Sequence, residues 1–155
     1  MAVIGKKVIG KRGRYEGGGP ITYPVGVAVA AGQVVTGGSG GTAGQMIPGT
    51  ANCQPAGVAT TSAAPLGTQS GTDPWGRPIF YTDVPDTNVA VARHGAYYLA
   101  ALGNIAFLDF VKAGANGGVV KWDPAADQAI AKVGQCVDTD GATNGVPVLV
   151  EIGIS

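Results

Sequence analysis

Charge is what this 155-residue chain lacks most. Ten Lys and Arg and ten Asp and Glu make up 13% of it, about half the usual share of roughly 25%. So little charge argues against a disordered chain, and the 45% apolar content agrees. Histidine occurs once, at His94, whereas acid–base and metal sites usually recruit several such groups. The two cysteines, Cys53 and Cys136, stand alone outside any CxxC, which disfavours a disulfide or zinc framework and suggests small buried apolar residues. No stretch approaches the ~18 apolar residues of a membrane span. The opening Met1-Ala-Val-Ile-Gly-Lys-Lys develops no apolar core of a secretory leader, so a soluble, cytosolically made chain is expected. No long amphipathic helix pattern is present either.

Glycine and short valine-rich runs are abundant. There are 27 glycines and 10 prolines, near the low-complexity threshold of roughly 25%. High glycine and high apolar content are reconciled by many short strands joined by tight turns. A chain of this length buries roughly 70% of its unfolded surface without disulfide or metal staples.

One pattern occurs twice. The first copy runs from Gly26 through Gln33-Val34-Val35 to Gly57-Val58-Ala59. The second runs from Gly103 through Asp109-Phe110-Val111 and Gly117-Gly118 to Val133-Gly134-Gln135-Cys136-Val137. Each reads as a strand, a polar step, an apolar pair, a glycine turn and a second strand entered through glycine. Further strands are expected over 79–82, 88–93, 96–102, 119–122 and 146–152. Asp123-Pro124 could start a short helix over Ala125–Lys132. The fold class is therefore all-β, a small barrel or sandwich built from a duplicated unit. The expected core includes Val27, Val29, Val34, Val58, Val89, Val91, Leu99, Ile105, Phe107, Phe110, Val120, Val133, Val137, Val148 and Val150.

The net charge is zero, but unevenly placed. Residues 1–14 hold Lys6, Lys7, Lys11, Arg12 and Arg14 and no acid, leaving five basic groups against ten acidic ones in the rest. The domain reading is a basic extended arm over 1–24 and a β-domain over 25–155, with a long Pro/Gly-punctuated loop at 64–87. Such an arm, which includes Tyr15, can bind an acidic partner, or it is a solvated terminus. Nucleic acid is disfavoured because the body is acidic and basic–aromatic interleaving is absent. Trp75 and Arg77 lie within the loop, where an aromatic either caps the core or makes a contact; capping is the favoured reading.

Catalytic and cofactor patterns fail on context. Gly38-Ser-Gly-Gly-Thr-Ala43 has the spacing of a dinucleotide fingerprint, but more glycine and a Pro-Gly turn follow where a helix is required. Asp138-Thr-Asp140-Gly141 opens like a calcium loop, but its twelfth position is Leu149 rather than Glu. His94 sits in a turn, and the aspartates punctuate turns, where their side chains cap backbone donors. No enzyme, cofactor or metal is expected.

The order and spacing of Val29-Ala-Ala-Gly-Gln-Val-Val35, Gly57-Val-Ala59, Val89-Ala-Val-Ala-Arg-His-Gly95, Gly103-Asn-Ile-Ala106, Asp109-Phe-Val111, Val133-Gly134 and Val146-Pro-Val-Leu-Val-Glu-Ile152 resemble the capsid cement, or decoration, proteins of tailed bacteriophages. The resemblance covers roughly 25–60 and 88–152. It implies a non-enzymatic β-domain on the capsid exterior, trimeric, binding the major capsid protein and stabilising the expanded head. Partner contacts are then expected at Lys6, Lys7, Lys11, Arg12, Arg14, Tyr15, Trp75 and Arg77. Rival readings are another virion part (a head fibre base or a tail tube subunit) and a carbohydrate- or host-surface-binding module using Trp75, Tyr81, Tyr97 and Tyr98.

Overall fold

Valine at alternate positions, interrupted every few residues by glycine, specifies short strands with one apolar face. The computed structural model describes residues 21–65, 69–80 and 87–154, and its regular structure is β throughout apart from three short 3-10 turns. The strands are β1 (Ile21–Pro24), β2 (Val34–Gly37), β3 (Met46–Pro48), β4 (Gly57–Ala59), β5 (Gln69–Thr72), β6 (Pro78–Phe80), β7 (Asn88–Ala92), β8 (His94–Ala100), β9 (Phe110–Ala113), β10 (Val119–Lys121), β11 (Lys132–Cys136) and β12 (Pro147–Gly153). They form two five-stranded antiparallel sheets, ordered β1-β7-β4-β2-β3 and β10-β9-β11-β12-β8, with β5 and β6 as a separate hairpin. Neither sheet closes on itself, so the architecture is a sandwich rather than a closed barrel.

The duplication extends to every strand of both sheets. Reading the second sheet backwards, β8, β12, β11, β9 and β10 stand where β1, β7, β4, β2 and β3 stand in the first. The register matches too: Val34 pairs with Val58 and Val35 with Gly57, while Phe110 pairs with Gln135 and Val111 with Gly134. Parallel bridges Val25–Met46 and Ala101–Val119 recur, as do antiparallel bridges Val29–Ala63 and Ile105–Ala142. Glycine is required at Gly57 and Gly134 for one reason in both copies. A Cβ there would overlap the carbonyl oxygen of the neighbouring strand, Ala92 or Glu151.

The two sheets share a core through the pleat of β2 and β4. Val35 and Ala59 face a cluster with Val25, Val29, Met46, Val89 and Val91. Val34 and Val58 point the opposite way and join the core of the second sheet, beside Leu99, Val111, Val133, Cys136, Val148 and Val150. Polar contacts reinforce this junction. Gly117 N–H donates to Gly49 O (2.9 Å), Gln33 Nε2 to Asn116 O (3.0 Å), and Lys112 Nζ to Asn52 Oδ1 (2.6 Å).

Several expectations are corrected. Val27 (48%), Phe107 (47%) and Phe110 (41%) are exposed rather than core. Phe110 and Val111 are consecutive on β9, so only one can face inward, and Val111 does. Val119, not Val120, is fully buried for the same reason, and Val137 is only half-buried. No helix forms over Ala125–Lys132; its alanines offer little apolar surface to bury. Asp123 and Asp127 instead close a turn, Asp127 Oδ2 accepting from Asp123 N–H (2.7 Å) and Asp123 Oδ1 from Ala125 N–H (2.9 Å), followed by a 3-10 turn at Ala129–Ala131. Ile21–Pro24, within the span read as an arm, is strand β1 paired to β7. Cys136 is buried as expected.

Candidate docking surfaces

The loop expected over 64–87 carries the β5–β6 hairpin, whose tip is Asp73-Pro-Trp-Gly-Arg77. Asp73 organises it. Its Oδ1 accepts the N–H groups of Trp75 and Arg77, both at 2.9 Å, and its Oδ2 meets Arg77 Nε at 2.7 Å. Gly76 takes the left-handed conformation (φ 79°) that the turn requires. The Arg77 backbone N–H holds the Asp73 carboxyl below its ordinary range against the opposing effect of desolvation, aided by the Arg77 guanidinium and the Trp75 N–H. The Arg77 guanidinium lies 5.3 Å from the Trp75 ring centroid. Trp75 is 78% exposed, so it is not a core cap. Trp75 and Arg77 are thus brought together on a preorganised tip. Lys6, Lys7, Lys11, Arg12, Arg14 and Tyr15 lie outside the described residues.

A second surface lies on the outward face of the second sheet and was not foreseen. Lys132 Nζ sits 4.1 Å from the Phe110 ring centroid and 4.2 Å from that of Trp122. The rings meet edge to face with centroids 6.3 Å apart, an arrangement that favours a cation over both π-systems. Trp122 Nε1 donates to Gln128 O (3.0 Å), which fixes the indole. Pro55, Phe110, Ile130, Lys132, Gln135 and Ile154 line a shallow groove here. The signal was in the duplication itself: Phe110 occupies the position of Val34, whose side chain is buried between the sheets.

Below it, Lys112 Nζ lies 2.6 Å from Asp127 Oδ1. The Lys112 ammonium is the main cause of a lowered Asp127 pKa, followed by the Asp123 N–H. This pair, with Asn52, ties the β3–β4 connection of the first copy to the second.

The remaining sequence candidates do not converge. His94 is exposed at the start of β8. Among the described residues, no group of three His, Cys, Asp or Glu is placed to hold a metal ion. Tyr97 and Tyr98 are consecutive on β8 and face opposite sides, Tyr97 against the core and Tyr98 outward; Tyr81 lies outside the described residues. These rings therefore do not make the shared stacking platform of a sugar site. No helix among the described residues is long and apolar enough to cross a membrane. What these surfaces offer is contact: an aromatic–arginine tip and an aromatic–lysine face.

No family model and no curated protein matches the chain. Among solved structures it is similar to the head fiber gp8.5 N base of bacteriophage phi29, at 17% sequence identity and a TM-score of 0.56, over 86% of this chain and 92% of that one. At this identity the likeness is one of fold.

Proposed function

We propose that this chain is a structural, non-enzymatic protein of a bacteriophage head, seated on the outer surface of the shell and bound to the major capsid protein. The observation that carries the reading is the fold likeness to a head fibre base over nearly the full length of both chains. The order and spacing of the duplicated unit support it independently, as does a described surface with aromatic contact tips.

The chemistry required is adhesion. Among the described residues, β8 borders the second sheet and can accept an added strand from a partner. The low charge of the chain suits a protein that spends its life against other protein. If it binds only the expanded shell, it stabilises that lattice by mass action, by about 2.7 kcal/mol per site at 100-fold excess over Kd. Assembly as a trimer would let three weak contacts act together through effective concentration. The basic segment of residues 6–14 supplies attraction toward an acidic capsid surface.

A second reading, the base of a head fibre, is favoured by the neighbour's own part in its virion. It shares the capsid attachment and differs in what is carried outward. The test is cosedimentation of the purified protein with expanded heads lacking it, with the melting temperature of the heads recorded. Saturable binding that raises head stability supports a cement role. Saturable binding without stabilisation supports a fibre base. No binding refutes both.

A further inference from the structure

At one turn the two copies of the unit share a backbone and differ in their side chains. In the first copy, Gly32 N–H donates to Ala59 O (2.7 Å), Gln33 N–H to Ala30 O (3.2 Å), and Ala30 N–H to Gln33 Oε1 (2.9 Å). The second copy repeats each bond: Leu108 N–H to Cys136 O (2.9 Å), Asp109 N–H to Ala106 O (3.1 Å), and Ala106 N–H to Asp109 Oδ2 (2.9 Å). The backbone repeats as well, with φ of 88° at Gly32 and 70° at Leu108. The left-handed position that glycine fills without strain is thus filled by leucine. The residue before it is Phe107, where the first copy has Ala31.

Neither choice helps the fold. Leucine in the left-handed region is strained. Phe107 and Leu108 are both about half exposed, so burial returns little. The first copy makes the same turn with alanine and glycine, which shows that the backbone does not require large residues here. An exposed apolar pair, one member of which holds a strained backbone, is what a contact surface retains.

A matching recess lies on the same chain. Gln135 Nε2 donates to Leu108 O (3.0 Å), and Gln135 also lines the groove with Phe110, Ile130 and Lys132. Plug and groove therefore border one another on the outward side of the second sheet. The equivalent side of the first sheet, at Val34 and Val58, is covered by the second sheet. Both sides of such a contact carry charges of both signs: Asp109, paired with Lys121 at 3.3 Å, and exposed Asp140 lie beside the plug, while Lys132 and Glu151 line the groove.

We propose that this side is where copies of the chain meet, with the Phe107–Leu108 turn of one copy seated in the Phe110–Ile130–Lys132 groove of another. A plug and a groove side by side let neighbours around a symmetry axis engage reciprocally. The inference concerns self-association, so it stands or falls separately from head binding.

The test is light scattering coupled to size exclusion on the full chain at about 100 μM, a concentration at which a micromolar contact is populated. The wild type should run at twice its 15.3 kDa mass or a higher whole multiple. The double variant Phe107→Ser/Leu108→Asn should associate at least about tenfold more weakly, with its near-ultraviolet circular dichroism retained, because asparagine tolerates the left-handed conformation. As an independent readout, Phe107→Cys and Ile130→Cys chains, mixed and oxidised, should form a disulfide between copies. A monomeric wild type, an assembly indifferent to the double variant, or failure of the mixed cysteines to cross-link would each overturn the proposal. A monomer that binds heads through this turn would assign the plug to a capsid partner instead.

Discussion

Truncating Val34 and Val35 one at a time asks whether the two sheets are one cooperative unit. Both side chains are fully buried and consecutive on β2, yet they enter different clusters, Val34 the core of the second sheet and Val35 that of the first. Valine to alanine removes two methyl groups, worth about 1.6 kcal/mol in transfer free energy. A residual void of roughly 40 Å³, at about 24 cal/mol per Å³, adds about 1 kcal/mol. Each variant should therefore lose about 2.5 kcal/mol, a large share of the roughly 5–15 kcal/mol typical of a domain. For a chain of this length that lowers Tm by about 5–10 °C. Differential scanning calorimetry should show one transition for the wild type and both variants, moved by similar amounts. If Val35→Ala splits the transition, the first sheet melts as a separate lobe and the shared core is wrong. If Val34→Ala costs less than about 1 kcal/mol, the packing of the first sheet on the second is wrong.

Gly134→Ala should destabilise by about 1–3 kcal/mol, because its Cβ would strike the Glu151 carbonyl oxygen; urea titration measures this, and an unchanged midpoint would refute the close approach. Asp127 has a depressed pKa through Lys112, so its stabilising contribution is present above the ordinary carboxylate pKa of about 3.9 and is lost as pH falls through the lower, folded value. Asp127→Asn should accordingly flatten the stability–pH curve below about pH 4, and a curve parallel to wild type would count against the Lys112 pairing. Deleting residues 2–16 should weaken binding to heads at least about tenfold while leaving the unfolding midpoint in place; undiminished occupancy would remove the basic segment from the contact.

The duplication was legible because its marks are backbone necessities. Gly57 and Gly134 recur where strands approach too closely for a Cβ, and Val35 and Val111 recur where one face must be apolar. Alternation also carried Val89/Val91 and Val148/Val150, which fall on matching strands in the two sheets. What failed was the expected burial of aromatic residues. Phe107 and Phe110 stand in the expected core, yet both are exposed, and alternation beside Val111 puts Phe110 outside. Trp75 was read as a cap, yet the Asp73 side chain can hold a tight tip without any core contact. The Lys132 cluster could not be read without the fold, since Phe110, Trp122 and Lys132 come from separate strands and connections.

A duplicated fold carries its own control experiment. Two copies of one backbone obey the same steric and hydrogen-bonding demands, so positions where they agree report the fold and exposed positions where they differ report something else. They agree at the glycines of the close strand approach and at the paired bridges. They differ where residues 60–87 stand in the first copy against residues 137–146 in the second, the former adding the Trp75 hairpin. They differ again where Ala31-Gly32 becomes Phe107-Leu108, and where buried Val34 becomes exposed Phe110. Each difference adds a large side chain at the surface and none adds burial in the shared core. Stability alone does not account for that direction of change, whereas attachment to other protein surfaces does. Variants at these divergent positions should therefore lower binding more than stability, and variants at the shared glycines should do the reverse.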